Sequence, residues 1–400
     1  MSVCSSMPLA FWLTAGRTTT CSAARVARVT DRRLRDLVAF VWQHNPFYQN
    51  LWSAAGVTPD AVRGVADLAR LPLIHSAVAR ERTAAMVSEG VDLGTCTLRR
   101  TTGTMGWPIE FPVSRSELLF ESYAWARGYM RHGLRPWHRQ AKFAYPRPNP
   151  RPTWLPQRFG LLQRAFLPLS APVTEKVLWL RQVRPYSLCA NASTLDELCR
   201  HLEDTGERLC VPLVFTTADI LLPAVRARVR DRLEARAVVN VYGAVETGPI
   251  AWECPAQAGL HVNTDLVILE LLDEDGRPAR RGRVVCTVLW RRTVPFVRYV
   301  LGDMAEWADE PCPCGSALPR LAVLHGRDQD VIRLPSGEWI SAATLTVPVN
   351  ALAVIRGYQV VQTAPDCFVY YVVPGPGYGE PAAREVAENF RRRFGAALHI

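Results

Sequence analysis

The sequence VYGAVETG spans Val241 to Gly248 and determines how the chain is interpreted. The residues from Val238 to Tyr242 are mostly β-branched, which predicts a buried strand. A glycine turn then presents Glu246 at the carboxyl end of that strand. Ligands of open α/β sheets bind at this edge, and an acidic side chain there is a suitable Mg²⁺ ligand. The alternative is an ordinary solvated glutamate on a loop.

Strand and helix patterns alternate on both sides of this stretch, which favours an α/β sheet. Ser114 and Glu117 form a capping box that predicts a helix to about His132, with Gly133 ending it. A second capping box is predicted at Thr194 and Glu197, with that helix ending at Gly206. Residues 267–272 and 283–290 flank an Asp-Glu-Asp-Gly turn and predict a hairpin. Residues 143–172 are rich in proline and arginine and predict a long irregular connection.

The two ends of the chain differ from the middle. Ordered structure is expected from about Asp31, where apolar residues recur at helical spacing until Asn45 and Pro46 end the helix. After about Val331 the pattern predicts a small α+β unit, with strands near 358–362 and 368–373 and a helix over 381–394. The stretch from Met1 to Thr30 carries no positive charge ahead of its apolar residues, so we expect no signal peptide.

Composition narrows the class of protein. A chain of 400 residues is too long for one core, so two or three packed units are expected. No apolar run in the sequence is long enough for a membrane helix, so no membrane partner is predicted. The 11 cysteines are spread through the chain, which is typical of reduced thiols in a cytoplasmic protein.

The net charge of +10 comes from 47 basic and 37 acidic residues, and among the basic ones only Lys142 and Lys176 are lysine. The arginines are scattered and form no long basic run, so we predict no nucleic-acid partner. A weaker alternative, based on charge alone, is a nucleic-acid binder. The scarcity of lysine matters more, because arginine does not replace a compact ammonium charge.

The stretch TTGTMGWP, from Thr101 to Pro108, is a candidate phosphate loop. Its two glycines let several backbone N–H groups face one anion, and its threonines add hydroxyl donors. The Gly-Lys-Ser/Thr ending of the P-loop is absent. The alternative is a plain turn.

Two further motifs, RYVLGD and HGRDQD, contain Asp303 and Arg327. A loop aspartate can bind both hydroxyls of a ribose, and an arginine can pair with a phosphate. The alternative for each is an ordinary surface ion pair.

These motifs, in this order, resemble the phenylacetate-CoA ligase-like branch of the adenylate-forming (acyl-CoA synthetase) superfamily. The resemblance runs from about Asp31 to Ile340 and includes NPFYQNLWSAAGV, VPFVRYVLGD and CPCGSALPRLAVLHGRDQD. It implies an α/β fold with a large multi-layered N-terminal domain over 31–326 and a small mobile α+β domain over 327–400, after an extension at 1–30. Because this family places a lysine late in the small domain, we expect that domain to be shortened here.

The resemblance also implies roles for matching residues. Thr101, Thr102, Gly103, Thr104 and Gly106 would hold the ATP phosphates; Tyr242 and Gly243 would line the adenine and acyl site; Glu246 would hold Mg²⁺; Asp303 would bind ribose; Arg327 would begin the hinge. The implied reaction converts a small aromatic carboxylic acid to its acyl adenylate and transfers the acyl group to coenzyme A, an amine or a carrier protein. An oligomer is compatible with these features.

No lysine follows Lys176, although the family uses a late lysine to stabilise adenylation. Three explanations stay open. The gene end is truncated, an arginine among Arg391 to Arg393 substitutes, or the protein is a degenerate relative that binds a nucleotide or acyl adenylate without making it.

Cys312 and Cys314 form a Cys-x-Cys pair, and Cys254 and His261 follow the Glu246 loop. If the two loops meet, three thiolates and an imidazole form a four-ligand structural zinc site. Related proteins carry the same positions. The alternative is a pair of reduced loop cysteines.

Overall fold

The computed structural model describes residues 22–101, 108–144, 159–328, 331–335, 339–341, 345, 347–350, 352, 354–395 and 398–400. Its helices, in chain order, are α1 Ala23–His44, α2 Pro46–Ala54, α3 Ser76–Arg82, α4 Arg115–Arg131, α5 Val173–Val183, α6 Ala192–Asp204, α7 Pro223–Arg232, α8 Val347–Asn350 and α9 Glu380–Phe394. Its strands are β1 Thr97–Arg100, β2 Glu110–Val113, β3 Gln140–Ala144, β4 Arg164–Pro168, β5 Ser187–Ala190, β6 Leu213–Thr216, β7 Ala237–Ala244, β8 Gly248–Glu253, β9 Leu260–Val262, β10 Val267–Leu272, β11 Arg281–Val288, β12 Tyr299–Trp307, β13 Arg320–Arg327, β14 Val331–Arg333, β15 Trp339–Ser341, β16 Ile355–Ala364 and β17 Cys367–Pro374.

A large sheet organises the chain, in the order β10-β11-β12-β13-β9-β8-β7-β6-β5-β3-β4. The strands from β4 to β7 are paired in parallel, and those from β7 to β10 are antiparallel. Strand β7, which carries the first half of VYGAVETG, therefore lies where the two halves of the sheet meet. The α/β prediction is confirmed.

Helix α1 shows why the chain orders earlier than Asp31. Its apolar face, with Leu34, Leu37 and Val41 fully buried, continues back to Val26. The Thr30 hydroxyl also donates to the Thr264 carbonyl at 2.9 Å, so the first turns are held against the connection between β9 and β10.

The boundary between α1 and α2 is as predicted. Asn45 ends α1, and its side chain accepts from the Tyr48 N–H at 3.3 Å, which caps α2. Pro46 occupies the first turn of α2, where its missing N–H has no cost.

The capping box of α4 is confirmed. The Ser114 hydroxyl accepts from the Glu117 N–H at 3.4 Å, and the Glu117 carboxylate accepts from the Ser114 N–H at 3.2 Å. The helix ends at Arg131, with Gly133 at φ +90°. Gly128 lets α4 approach the sheet closely, because a Cβ there would collide with the Trp252 ring.

The second predicted capping box is wrong. Helix α6 begins at Ala192 with Asn191 as its N-cap, so Thr194 and Glu197 both lie inside the helix. Glu197 instead accepts from the Lys176 ammonium at 3.2 Å. A tertiary ion pair has replaced the local cap, although Gly206 ends the helix region as predicted, at φ +68°.

Of the irregular connection predicted over 143–172, residues 145–158 lie outside the described residues. The described part contains β4, which pairs in parallel with β3. Strand β4 was missed because it is an edge strand: among its residues only Leu167 is buried, so its pattern is weak. The predicted hairpin of β10 and β11 is confirmed, with residues 267–272 paired antiparallel to 283–288.

The C-terminal unit contains the two strands and the helix that the sequence predicted, now seen as β16, β17 and α9. Phe368 and Phe390 are fully buried in its core. It contacts α6 of the large unit through Arg356, whose guanidinium makes two 2.8 Å hydrogen bonds to Asp204. In the described ranges, no helix combines the length and apolarity needed to cross a membrane.

Candidate active site

The carboxyl end of β7 brings together three residues that the sequence singled out separately. The Tyr242 hydroxyl donates to Asp303 Oδ2 at 2.7 Å. Arg327 lies opposite Asp303 in the β12–β13 register, and its Nε lies 3.4 Å from Asp303 Oδ1. Its Nη1 donates to the Leu301 carbonyl at 2.8 Å. Two strands and the β7 end therefore converge on one carboxylate.

Burial raises the pKa of Asp303, and the nearby Arg327 charge and Tyr242 hydrogen bond act in the opposite direction. Only 14% of the Asp303 side chain is exposed, whereas Arg327 keeps 44% of its side chain in solvent. The carboxylate is thus held at the wall of the site while the guanidinium faces outward.

Glu246 follows β7 on the turn to β8. Its Oε1 accepts from the Tyr299 hydroxyl at 3.2 Å. Burial raises the pKa of the Glu246 carboxyl, against the Tyr299 hydrogen bond and two nearby guanidinium groups, Arg327 and Arg291, which lower it. The residue as a whole is of intermediate exposure and is not fully buried.

The turn that carries Glu246 depends on Gly243. A Cβ at this position would lie 2.7 Å from the Gly248 carbonyl oxygen and 3.0 Å from the Trp125 ring. Inside the turn, the buried Thr247 hydroxyl accepts from the Ala244 N–H at 3.3 Å. The backbone therefore closes tightly below Glu246, and the Trp125 ring lies directly beside Gly243.

Thr101 is the first residue of the candidate phosphate loop. Its N–H donates to the Ile109 carbonyl at 3.0 Å, and its hydroxyl accepts from the Ile109 N–H at 2.9 Å. This pair closes the neck of the loop between β1 and β2. Thr102, Gly103, Thr104 and Gly106 lie outside the described residues.

A buried arginine, Arg291, borders the Glu246 loop and was not selected from the sequence. Its Nη2 donates to the Val245 carbonyl at 3.0 Å, and only 1% of the residue is exposed. Among the many scattered arginines, no sequence signal distinguishes this one. Tyr299 was also missed as a partner of Glu246, although it lies in the RYVLGD motif that the sequence did select.

A second site lies at the other end of the same strands. Cys254 follows β8, His261 lies in β9, and Cys312 and Cys314 lie in the turn between β12 and β13. The four possible ligand atoms all lie within 4.8 Å of one another. The two predicted loops do meet, because His261 is paired with Trp252 of β8 and with Arg320 of β13.

The local geometry suits a tetrahedral metal. Cys254 Sγ and Cys312 Sγ are 3.6 Å apart, and Cys314 Sγ is 3.4 Å from His261 Nε2. His261 Nδ1 lies 3.2 Å from the Leu318 carbonyl. An Nδ1–H donor there directs the Nε2 lone pair toward the thiols. Burial lowers the pKa of His261, which favours the neutral ligand form.

No protein-family model matches the chain. Among curated proteins, it is 26% identical, over an alignment of 361 residues, to a phenylacetate-coenzyme A ligase of Thermus thermophilus, covering 84% of this chain and 78% of the relative. Among solved structures, 2-hydroxyisobutyryl-CoA ligase in its postadenylation state with 2-HIB-AMP superposes with a TM-score of 0.81 at 22% identity, covering 95% of this chain and 86% of that one.

The chain has the adenylate-forming ligase fold. The resemblance predicted from the sequence motifs is confirmed, and a more distant likeness agrees with it. An anthranilate CoA ligase in complex with anthranoyl-AMP superposes with a TM-score of 0.58 at 14% identity, covering 76% of this chain and 62% of that one.

One of these similar proteins is known in two states of its reaction. The same 2-hydroxyisobutyryl-CoA ligase, in its thioesterification state with 2-HIB-AMP and CoA, gives a TM-score of only 0.66 at 96% coverage of this chain. This chain therefore superposes better on the postadenylation state of that ligase than on its thioesterification state.

Proposed function

We propose that the protein is an AMP-forming acid–CoA ligase: it activates a carboxylic acid with ATP as the acyl adenylate and passes the acyl group to coenzyme A. The observation that carries this proposal is the convergence of Tyr242, Asp303 and Arg327 beside Glu246 at the junction of the sheet. Four polar groups from three motifs meet where ligands of α/β sheets bind. An amine or a carrier protein is the alternative acceptor.

Glu246 is the residue we propose for Mg²⁺. Carboxylate oxygens are ligands that Mg²⁺ prefers, together with water and phosphate oxygens, and Glu246 is a residue of intermediate exposure on a closely packed turn. Bound there, Mg²⁺ would neutralise charge on the ATP phosphates. The protein's own residues would contribute by holding the reactants in line and by excluding water.

Asp303 is the residue we propose for the ribose hydroxyls. Its carboxylate is occupied at present by the Tyr242 hydroxyl and the Arg327 guanidinium. A ribose would exchange one of these partners for its own hydroxyls, and Arg327 would then be released toward the phosphate. This exchange requires that Arg327 be mobile, which agrees with its exposed position at the end of β13.

We further propose that the acid is small and aromatic. Trp125 lies beside Gly243 and packs edge-on against Trp252 at a centroid separation of 5.5 Å, with Tyr129 stacked on Trp125 at 6.4 Å. Offset and edge-on ring contacts would stabilise an aryl acid placed against these rings. Phenylacetate, which names the similar ligase of Thermus thermophilus, is the first candidate.

The test is ATP–pyrophosphate exchange with phenylacetate, benzoate, anthranilate and 2-hydroxyisobutyrate. We expect exchange with at least one aryl acid, and formation of its CoA thioester. Glu246→Gln is the matched control, because it keeps the shape of the side chain and removes the charge. If the protein binds ATP but shows no exchange with any of these acids, the proposed ligase activity is wrong.

That last outcome would favour a second candidate, a homologue that binds a nucleotide or acyl adenylate without making it. Lys176 is 3% exposed in its side chain and bound to Glu197, and Lys142 lies on β3, several strands from Glu246. In the described ranges, neither lysine therefore meets the Glu246 loop. Arg391 to Arg393 are exposed on the last turn of α9. Calorimetric ATP binding without turnover would distinguish this candidate.

We also propose a structural zinc ion at Cys254, His261, Cys312 and Cys314. Four protein ligands complete a tetrahedral shell, so no position stays open for catalysis. Metal analysis of the purified protein should give one zinc per chain, and Cys312→Ser should reduce that content. None of the described cysteines forms a disulfide, which supports placing the protein in the reducing cytoplasm.

A further inference from the structure

Helix α4 presents two glutamates, Glu117 and Glu121, that are four residues apart and therefore share one face. Glu117 is only 4% exposed. Besides completing the capping box, its Oε1 accepts from the Arg292 N–H at 2.6 Å and from the Thr293 N–H at 2.9 Å. This carboxylate therefore fixes the backbone that follows β11, directly after Arg291.

Arg291 is almost completely buried between aromatic rings. Its guanidinium lies 4.6 Å from the centroid of the Trp290 ring and 5.4 Å from that of Phe111. Its Nη2 is shared between the Val245 carbonyl at 3.0 Å and Glu121 Oε2 at 3.4 Å. Its Nε has no hydrogen-bond partner within the part of the chain that the structure describes.

Burying a guanidinium with so few hydrogen-bond partners is energetically costly. The Val245 carbonyl belongs to the residue directly before Glu246. Arg291 therefore holds the backbone next to the proposed Mg²⁺ ligand by a hydrogen bond. The Trp290 and Phe111 rings restrict the position of its guanidinium.

Glu121 extends the same network to the other loop. Its Oε1 lies 3.4 Å from Arg99 Nη2. Arg99 is on β1, shortly before Thr101 and the neck of the candidate phosphate loop. Its partner across the hairpin is Phe111, the ring that packs on Arg291. One carboxylate thus joins the strand entering the phosphate loop to the turn carrying Glu246.

We propose that Glu121 and Arg291 are positioning residues. Together they hold β1, which leads into the candidate phosphate loop, at a fixed distance from the turn that carries Glu246. The inference rests on the proposed function: one loop would hold the ATP phosphates and the other their Mg²⁺ ion, so their separation must be fixed. Neither residue touches the reacting atoms. A displacement of about 1 Å between such groups lowers rates by about 100-fold.

The test uses three variants: Glu121→Gln, Arg291→Lys and Arg291→Met. We expect each to raise the Mg²⁺ concentration that half-saturates ATP binding in calorimetry by about tenfold or more, as loss of an outer partner of a metal ligand does elsewhere. In the exchange assay kcat should fall by about 10- to 100-fold, whereas KM for the acid should stay near its original value. Arg291→Lys should not restore the original Mg²⁺ dependence, because a compact, strongly hydrated ammonium does not stack between the Trp290 and Phe111 rings as the planar guanidinium does.

Asp265→Asn is the matched control. Asp265 is 3% exposed and forms an ion pair with Arg127 at 2.6 Å, so breaking this pair tests burial and charge without touching either loop. We expect a lower Tm and an unchanged Mg²⁺ dependence. If the Arg291 and Glu121 variants lower only Tm, as this control does, the inference is wrong. If Arg291→Met fails to fold, Glu121→Gln still tests the positioning role, because it changes only the charge of the side chain.

Failure of the proposed function gives a different pattern. It would appear in the unmodified protein, before any variant is made. Absence of exchange with every acid, in a chain that binds ATP, overturns the proposed function alone, because the Mg²⁺ dependence of ATP binding still tests the positioning role. A second form of failure is absence of ATP binding with and without Mg²⁺. In that case both proposals are overturned together. If the unmodified protein binds Mg²⁺ and ATP normally and the variants do so equally well, only the positioning role is lost.

Discussion

The candidate active site and the Cys/His cluster lie at opposite ends of the same strands, and they are built differently. Strand β8 runs from Gly248, beside Glu246, to Glu253, beside Cys254. In the cluster, four donor atoms converge within 4.8 Å of one another. In the active site, polar groups satisfy each other, as Tyr242 does with Asp303 at 2.7 Å. Converging donors suit a permanent ion, whereas mutually satisfied groups suit ligands that come and go.

The largest effect should follow loss of a cluster ligand. We expect Cys312→Ser to lower the free energy of unfolding by about 3–5 kcal/mol, because loss of a metal belongs to the few strongly destabilising changes. Chemical denaturation and metal analysis measure this. Activity per folded molecule should change little. Cys199→Ser, a buried thiol outside the cluster, should keep the zinc content; an equal loss of stability in both variants would contradict the zinc proposal.

Glu246→Gln should produce the reverse pattern. Removing the proposed Mg²⁺ ligand should lower the pyrophosphate-exchange rate by about 10²–10³-fold, as removal of one electrostatic stabiliser does elsewhere. Zinc content should stay unchanged. If Glu246→Gln retains most of the exchange rate, Glu246 is not the Mg²⁺ ligand, and the contrast drawn between the active site and the Cys/His cluster is wrong.

Tyr242→Phe should have a smaller effect. Losing the hydroxyl removes one hydrogen bond to Asp303, which is worth about 1–3 kcal/mol when a charged group is involved. We expect KM for ATP to change by about tenfold while kcat moves less, and steady-state kinetics separate the two. A change confined to the acid KM would place Tyr242 at the acyl side instead of the nucleotide side.

The smallest expected effect is a pH-dependent difference in Tm between Glu246→Gln and the unmodified protein. Because burial raises the folded-state pKa of Glu246, the protonated form is favoured on folding, and this contribution to stability is lost as pH rises through that pKa. In the absence of Mg²⁺, Glu246→Gln should therefore have a higher Tm than the unmodified protein at about pH 8, and the difference should narrow toward about pH 5. Thermal denaturation across this range measures it, and a gap that widens on acidification would contradict the sign.

Local patterns predicted much of the fold. The capping box at Ser114, the stop at Gly133 and the β10–β11 hairpin depend on neighbours in sequence, so they were predicted with nearly their final boundaries. Two predictions were wrong because tertiary contacts prevailed. Glu197 pairs with Lys176 instead of capping α6, and β4 forms an edge strand in a stretch with a weak pattern.

Within the site, the sequence alone determined which residue types were present in motifs: Glu246, Asp303, Arg327 and the four cluster ligands. These residues carry recognisable chemistry at fixed spacings. Only the tertiary structure decided which of them meet, because the strand order brings β12 and β13 beside β9 and β8. It also singled out Arg291 among the chain's arginines, since burial and partners are properties of packing and leave no mark in the local sequence.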